Sequence, residues 1–354
     1  MKHLVIALIL SASAIAFSAP QQQPRVDNTQ FNTEPASTGL SATVTRFRDS
    51  GQQLWIGYEV LSLPRAYVTS CSDSSASSSS DDGCCGELLL ERDGNGISVS
   101  DKVTDPNPAM YVLLRLDHGA ITRVRTSRPG CRLNAGGVPF TWLTGVNAED
   151  SANFLGSLAS KTIDDKQPAD GALAALAMHG TPTATKVLAS LAAPSNSERL
   201  REKAAFWLGA QRGRDGFLVL QKFVKDEPNP KLREKLAFDI SINKDPAATD
   251  ELLALAKSDS DPHVRGQALF WLAQKAGQKA SSGITNAIEN DPDTEVKKKA
   301  VFALSQLPKD EGIPQLIHVA DSNPNLAVRK QAIFWLGQSH DPRALDYIES
   351  VLKR

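Results

Sequence analysis

The sequence predicts an α+β chain of two domains, a small disulfide-stapled β-rich domain followed by an all-α solenoid of about six 32-residue helix-turn-helix repeats. Three observations predict this class. Five phenylalanines recur every 32 residues in similar segments, at Phe206, Phe238, Phe270, Phe302 and Phe334. All four cysteines lie within the first 131 residues. Segments with strand character end near residue 145, and helical periodicity replaces them.

The first residues have the layout of a secretory signal peptide. Lys2 and His3 precede an unbroken apolar run over residues 4–10, and small residues follow to Ala19. This order of charged, apolar and small residues is typical of a cleaved leader, and the apolar run is too short to span a bilayer. We therefore expect a signal peptide over residues 1–18, a secreted or periplasmic protein, and no stable membrane insertion after cleavage.

A flexible linker and a β-rich domain are expected next. Residues 19–36 are rich in Gln, Pro and Asn, with little to bury, which favours a flexible linker. Over residues 37–145 short runs of β-branched and aromatic residues predict strands, and a glycine between two apolar runs predicts a hairpin at residues 116–120. The predicted strands cover residues 41–48, 54–61, 87–91, 110–116 and 120–126.

The cysteines are Cys71, Cys84, Cys85 and Cys131, and the first three bound a Ser-rich acidic loop. Four cysteines allow three pairings, and an adjacent Cys84–Cys85 bond would close a strained ring. We expect two structural disulfides that join Cys84 and Cys85 to Cys71 and Cys131, in either order, because export places the chain in an oxidising compartment. The alternative is a redox-active or metal-binding Cys84–Cys85 pair.

A connecting helix over residues 146–167 and a solenoid over residues 168–354 complete the predicted order. Asn or Asp followed by Pro precedes the Phe segments, as at Asn229, Asp261 and Asn323. Asn and Asp cap helix starts, and proline is tolerated in the first turn. Val264, Ala268 and Leu272 share one helical face. No single repeat can bury both of its helices, so neighbouring repeats must stack.

The repeats resemble the HEAT-repeat family, in particular the short HEAT-like repeats named after phycobilisome lyases. The resemblance depends on Val264-Arg265 with Ala268 and Leu272, and on Val328-Arg329 with Ala332 and Leu336. It covers about residues 168–354. It implies a curved array whose concave face is lined by the second helix of each repeat. The N-terminal part resembles no characterised family.

Enzymes of the same family have site patterns that this chain lacks. The resemblance to deoxyhypusine hydroxylase would require repeated His-Glu dipeptides for a di-iron centre, and none of the six histidines is followed by Glu. Nothing singles out a bilin pocket, as the lyases would need. The sequence also lacks the GxSxG, Walker A, HExxH and EF-hand motifs. We therefore predict no catalytic residues, no metal site and no cofactor.

Two ladders of side chains follow the repeat. The five phenylalanines could seat an extended peptide or an amphipathic helix, or they could fill the seam between successive repeats. A basic residue stands five positions before each of them, and such a ladder more often pairs with acidic residues such as Asp259 and Asp261 than with an anionic ligand. The basic residues are Arg201, Arg233, Arg265, Lys297 and Arg329.

These observations predict an exported, non-enzymatic scaffold or adaptor that binds a protein or peptide. The formal net charge is −1, without the basic excess that nucleic-acid binding needs. The alternative is an exported redox protein or other enzyme that uses the Cys84–Cys85 pair, which requires reactive thiols.

Overall fold

A computed structural model describes residues 23–64, 69–71, 87–92, 96–98 and 108–353. The predicted signal peptide at residues 1–18 lies outside this part of the chain. The strands are β1 (Val26–Asp27), β2 (Phe31–Pro35), β3 (Leu54–Leu61), β4 (Thr69–Cys71), β5 (Glu87–Leu89), β6 (Gly96–Ser98), β7 (Ala109–Asp117), β8 (Ala120–Ser127), β9 (Arg132–Asn134) and β10 (Phe140–Thr144).

The helices begin with α1 (Leu40–Asp49), which lies between β2 and β3, and the others follow the last strand. A short 3₁₀ turn at Gly277–Ala280 precedes α10. The later helices are α2 (Ala148–Lys161), α3 (Lys166–Met178), α4 (Pro182–Leu191), α5 (Glu198–Gln211), α6 (Gly213–Asp226), α7 (Pro230–Ile242), α8 (Ala247–Ser258), α9 (Pro262–Ala276), α10 (Ser281–Asn290), α11 (Thr294–Ser305), α12 (Lys309–Ser322), α13 (Leu326–Gln338) and α14 (Pro342–Leu352).

A five-stranded mixed sheet forms the centre of the N-terminal part, in the order β2-β10-β3-β7-β8. β10 runs parallel to both β2 and β3, and β3, β7 and β8 are antiparallel neighbours. The predicted hairpin between β7 and β8 is confirmed, with His118 and Gly119 at positive φ, as a two-residue hairpin turn requires. β1, β9 and β5 form a second, parallel sheet, and β4 pairs with β6.

Both faces of the five-stranded sheet are covered. Ile56 and Tyr58 of β3 point into a core shared with the helices. Trp55, one position along, points into a smaller core with Tyr111 and Trp142. This alternation follows from the two-residue period of a strand, and it explains why β3 and β7 are buried along most of their length.

Two sequence predictions for the N-terminal part were wrong. The strand predicted over residues 41–48 is helix α1, whose apolar residues Leu40, Val44 and Phe47 follow helical spacing. The linker predicted over residues 19–36 is not flexible where it forms β1 and β2, since β2 pairs with β10 along its whole length. The other predicted strands correspond to β3, β5, β7 and β8.

From α3 onward the chain is a solenoid of helix pairs. The predicted caps are present at Asn229 and Asp261, whereas α13 is capped by Asn325 instead of Asn323. The Asp261 carboxylate accepts hydrogen bonds from the amides of His263 (2.8 Å) and Val264 (3.4 Å), and Pro262 opens α9. Val264, Ala268 and Leu272 are fully buried. The helices form two rows, an inner row of α3, α5, α7, α9, α11 and α13 and an outer row of α4, α6, α8, α10, α12 and α14.

The inner row lies on the concave side. Its helices pack directly against one another along the array, whereas neighbouring outer-row helices contact each other far less. Two stacked layers with unequal spacing form an arc, and the tightly packed layer is on the inside. Units counted from residue 168 begin with an inner-row helix, so the first helix of each unit lines the concave side. When each unit is counted from its outer-row helix instead, the same inner-row helix is the second one, so the expectation drawn from the resemblance stays a prediction.

The β-rich part and the solenoid share one core. Buried side chains form a continuous cluster from the sheet to the last repeat. The Tyr58 hydroxyl lies 3.1 Å from Ser151 Oγ of α2. The Leu63 amide donates to the Met178 carbonyl and the Gly180 amide donates to the Leu61 carbonyl, both at 2.8 Å. The two predicted regions are therefore joined, and the sheet closes the first end of the array.

A histidine at this junction should make stability depend on pH. His179 is fully buried, and burial together with nearby Arg212 lowers its pKa to about 4. The unfolded chain binds a proton near pH 6.5 and the folded chain does not, so stability falls as the pH drops below that value. We expect wild type to lose about 2 kcal/mol between pH 7 and pH 5 relative to His179→Asn. Urea unfolding of wild type and His179→Asn at pH 7 and pH 5 measures this loss. If the two unfolding free energies differ by the same amount at both pH values, the lowered pKa of His179 is contradicted.

Candidate functional site

The candidate site is an aromatic ladder on the inner row, defined by five phenylalanines and three tryptophans. A 32-residue period places the phenylalanines at one position of successive inner-row helices. Each tryptophan directly follows a phenylalanine. The ladder residues are Phe206 and Trp207 on α5, Phe238 on α7, Phe270 and Trp271 on α9, Phe302 on α11, and Phe334 and Trp335 on α13.

The eight rings form one uninterrupted series of contacts. Phe206 stacks on Phe238 with ring centroids 6.4 Å apart, and Phe238 meets Trp271 at 4.7 Å. The same arrangement recurs two repeats later, where Phe270 stacks on Phe302 at 5.7 Å and Phe302 meets Trp335 at 4.8 Å. Within α5, α9 and α13 the adjacent Phe and Trp contact edge to face at 4.7 to 5.2 Å. Such contacts add to the stability that ring burial provides.

The ladder has a period of two repeats. Trp207, Trp271 and Trp335 alternate with Asp239 and Ala303 at the same position of the intervening helices. A tryptophan at this position of every inner-row helix would crowd the neighbouring rings, because Trp271 already lies against Phe238 of the helix before it. This alternation is not among the sequence predictions, although the 64-residue spacing of the three tryptophans indicates it.

The ladder fills the seam between repeats and also reaches the surface. Phe206 is 38% exposed and Phe334 is 52% exposed, and the other six rings are half-buried. The interpretation that the phenylalanines fill the seam between successive repeats therefore accounts for the buried part of each ring. Enough ring surface is left on the concave side for a ligand to contact, so partner binding at these five phenylalanines stays a prediction.

Amides and charges flank the rings. One turn beyond Phe270, Phe302 and Phe334 lie Gln274, Gln306 and Gln338, all exposed, and the amides of Gln274 and Gln306 are 3.4 Å apart. On the other side, Lys235 pairs with Glu202 of the preceding inner-row helix and Lys203 pairs with Asp170. Lys298 pairs with Glu295 at 3.0 Å. A polar border on both sides of an apolar strip suits a peptide, whose backbone needs hydrogen-bond partners.

Three of the five members of the basic ladder, Arg201, Arg233 and Arg265, form the expected ion pairs with acidic residues. Arg265 donates to both carboxylate oxygens of Asp291 at 2.7 and 3.0 Å, and Arg233 does the same to Asp259 at 2.9 Å. Arg201 pairs with Glu227. Each arginine also donates to carbonyls of its own preceding loop, as Arg265 does to the Asp259 carbonyl at 2.9 Å. These pairs join each inner-row helix to the loop before the next one.

The last two members of the basic ladder differ. Lys297 donates to the Glu289 carbonyl at 2.8 Å, because Asn323 stands where the other repeats have an acid. Arg329 is exposed and has no side-chain partner among the described residues.

Asp239 is the unusual carboxylate of the inner row. It is buried, and Gly209 of α5 approaches so closely that a Cβ atom there would overlap the Asp239 carbonyl oxygen. Burial and, to a smaller extent, nearby Glu202 raise the pKa of Asp239 to about 8, against the opposing effect of Lys235. No sequence pattern singles out Asp239, since its burial depends on contacts between repeats.

The predictions about the cysteines depend largely on residues that the structure does not describe. Cys131 is buried in the β-rich part. Cys84, Cys85 and the side chain of Cys71 lie outside the described residues, so the disulfide pairing and the redox alternative stay predictions. Within the described ranges, no three His, Cys, Asp or Glu side chains converge as metal ligands would. Nor does any helix there have the length and hydropathy of a membrane span.

A family model agrees with the repeat architecture at the end of the array. Residues 281–354 match the family model described as HEAT repeats, so the last repeats are HEAT repeats. No curated protein matches the chain.

Three solved structures are similar to it. Human deoxyhypusine hydroxylase in complex with glycerol is 16% identical over 57% of this chain and 90% of its own, with a TM-score of 0.32. Kap121p bound to Pho4p is 13% identical over 58% of this chain and 27% of its own, with a TM-score of 0.38. The matched chain in the complex of CpcE and CpcF of phycocyanin lyase from Nostoc sp. PCC7120 is 19% identical over 58% of this chain and 77% of its own, with a TM-score of 0.27.

Proposed function

We propose that this chain is a protein-binding scaffold that acts after export, and that the aromatic ladder on its concave side binds a peptide segment of the partner. The observation that supports the proposal most is the unbroken series of eight partly exposed rings along five inner-row helices. Core packing alone does not require Phe206 and Phe334 to keep so much ring surface in water.

The dimensions fit an extended segment. Neighbouring packed helices lie about 8–10 Å apart, so five inner-row helices span roughly 40 Å. An extended chain advances about 3.3 Å per residue, and roughly 12 residues would follow the ladder from end to end. The rings would contact apolar side chains of the segment, while the flanking glutamines would pair with its backbone.

In this proposal the role of the β-rich part is to close one end of the solenoid and not to bind the peptide. It closes the first end of the solenoid through β8 and α3, which pack against each other, and among the described residues its strands make no extensive contact with the inner-row helices from α5 to α13. The signal peptide and the two disulfides are proposed on the sequence pattern, since both depend on residues outside the described structure.

Removing an exposed ladder ring should weaken peptide binding. Twelve-residue peptides would be selected from a random phage-displayed library on the purified full chain, and the affinity of a synthetic copy measured by fluorescence anisotropy. Phe206→Ala and Phe334→Ala should each raise its Kd roughly tenfold, because an aromatic contact contributes about 1–1.5 kcal/mol. These two rings are the most exposed of the ladder, so folding should depend on them least.

Leu218 provides the matched control. It lies on α6 in the outer row and is 46% exposed, so Leu218→Ala removes a comparable apolar surface from the convex side. We expect it to leave the Kd unchanged. Equal affinities of wild type and both ladder variants, with circular dichroism showing intact helices, would exclude the ladder as the binding surface.

A further inference from the structure

Cations close the C-terminal ends of two inner-row helices. The last carbonyls of a helix lack donors within it and carry a partial negative charge, so a cation is favourable there. At the end of α3, the buried Arg212 guanidinium donates to the carbonyls of Ala177 at 3.2 Å and His179 at 2.7 Å. Arg212 directly follows α5, the next inner-row helix. The array thus supplies the cation for one helix from the end of the next.

Two repeats later a lysine has the same role. The Lys275 ammonium of α9 donates to the carbonyls of Ser241 at 3.0 Å and Asn243 at 2.6 Å, at the end of α7. These carbonyls stand 64 residues after the two that Arg212 binds. The two helices also end alike, because the amides of His179 and Asn243 each donate to the carbonyl three residues earlier at 3.2 Å. The arrangement therefore follows the two-repeat period of the aromatic ladder.

The third member of this series, at the end of α11, receives no cation from the described residues. Its carbonyls are those of Ser305 and Leu307, and the Leu307 amide closes the helix as in the other two, at 3.2 Å. Ser339 and His340 occupy the two positions from which the cations come. The Ser339 hydroxyl donates to a carbonyl of α13 at 2.7 Å, and His340 is exposed. Within the described part of the chain, nothing donates to the Ser305 or Leu307 carbonyl.

A cavity of about 260 Å³ lies at this third helix end. Its wall includes Ser305, Leu307, Ser339, Trp335 of the ladder and Gly312 of α12. Gly312 leaves room in front of the Leu307 carbonyl oxygen, since a Cβ atom at this position would be in contact with it at 3.5 Å. Alanine stands at the equivalent position of both helix ends that receive a cation. A group that enters the cavity can therefore reach these carbonyls.

The charges around the cavity do not oppose a cation. Lys309 lines the cavity and is exposed. Arg343 of α14 pairs with Asp341 at 2.9 Å and with Asp310, in the first turn of α12, at 3.4 Å. Glu311 of the same turn has a buried carboxylate oxygen without a hydrogen-bond partner among the described residues. These three carboxylates outnumber the two cations.

We infer that this cavity binds the side chain of a lysine or arginine in the partner's peptide, an inference that rests on the proposed function. The incoming cation would donate to the carbonyls of Ser305 and Leu307, as the array's own cations do at the two other helix ends. The Trp335 ring in the wall adds to the attraction, because aromatic rings attract cations. The cavity is continuous with the ladder, since Gln306 and Gln338 beside the rings also line it. The segment along the ladder would thus carry a basic residue where it passes α13.

Peptides selected on the full chain test this specificity. Twelve-residue peptides that bind should carry a lysine or arginine near one end. Replacing that residue with norleucine should raise the Kd for wild type roughly tenfold, because the charged hydrogen bonds are lost. Ser339→Lys, which places an ammonium of the protein itself in the cavity, should bind both peptides equally. Ser339→Ala keeps the cavity and should distinguish the peptides as wild type does.

The outcomes separate this inference from the proposed function. Peptides that lose affinity for Phe206→Ala bind through the ladder. If such peptides lack a basic residue, or if Ser339→Lys still prefers the basic peptide, the inference is overturned and the proposed function stands. If the chain selects no peptide, both are overturned.

A measurement without peptide tests the cavity itself. Ser339→Lys and Ser339→Met introduce side chains of similar length, and only the lysine brings a cation to the carbonyls of Ser305 and Leu307. Both variants lose the hydrogen bond of the Ser339 hydroxyl, so that loss cancels in the comparison. The folding equilibrium constant from urea unfolding should be roughly tenfold larger for Ser339→Lys. Equal constants, or a larger one for Ser339→Met, would show that these carbonyls do not bind a cation and would overturn the inference.

Discussion

Replacing Asp239 with asparagine should stabilise the protein, and the gain should be about 3 kcal/mol larger at pH 8 than at pH 5. The Asp239 carboxyl is buried and its pKa is raised to about 8. Between the pKa of an unfolded aspartate and pH 8, the folded chain holds a proton that the unfolded chain releases. Wild-type stability therefore falls as the pH rises through this window, and asparagine, which does not ionise, removes the loss.

The difference between the urea unfolding free energies of wild type and Asp239→Asn, measured at pH 5 and pH 8, gives this effect. Asp226→Asn is the matched control, because Asp226 is an exposed carboxylate at the end of α6 and keeps its water in both states. A stabilisation by Asp239→Asn that is equal at both pH values, or a destabilisation at pH 8, would contradict the burial of this carboxyl.

Arg265→Ala should cost about 3 kcal/mol of stability, because it leaves the buried Asp291 carboxylate without its cation. The side chains of Arg265 and Asp291 are both almost fully buried and joined by two hydrogen bonds. Arg329→Ala removes the same side chain at the equivalent position of the last repeat, where it is exposed and unpaired within the described residues. That change should cost less than about 0.5 kcal/mol.

The comparison is made by urea unfolding of the two variants at pH 7. Asp291→Asn and the double variant complete a cycle that isolates the coupling between Arg265 and Asp291. If Arg265→Ala and Arg329→Ala cost the same, the basic ladder would have no role in joining successive repeats.

The solenoid could be predicted from sequence because its information is local and repeated. A single 32-residue period gives the helix pairs, and the Asn229-Pro230 and Asp261-Pro262 steps each give a cap and a first turn. At Asp261 and Pro262 the structure has the predicted contacts. Each repeat contacts mainly its neighbours, so little depends on residues distant in sequence.

The N-terminal part was harder to predict because its sheet depends on distant pairings. β2 is formed by pairing with β10, more than 100 residues away, and the polar sequence of residues 31–35 gives no sign of it. The threonines and Val44 of helix α1 predict a strand, although Leu40, Val44 and Phe47 are spaced for a helix. Local β-propensity is a weak guide where tertiary packing decides.

The candidate site was predicted in part. The spacing of the five phenylalanines placed them on one strip, and the structure brings them together with three tryptophans. Which helices lie inside the arc depends on the relative spacing of the two rows, and Asp239 is buried only because α5 approaches it closely. Neither property can be obtained from one repeat alone.

Photo-cross-linking to the selected 12-residue peptide shows whether the concave aromatic ladder is the surface that binds it. p-Benzoylphenylalanine would replace Gln306, which is exposed beside the ladder, or Leu218, which is exposed on the outer row. We expect the peptide to be captured from position 306 and not from position 218. Capture from position 218 alone would place binding on the convex side and contradict the proposed function.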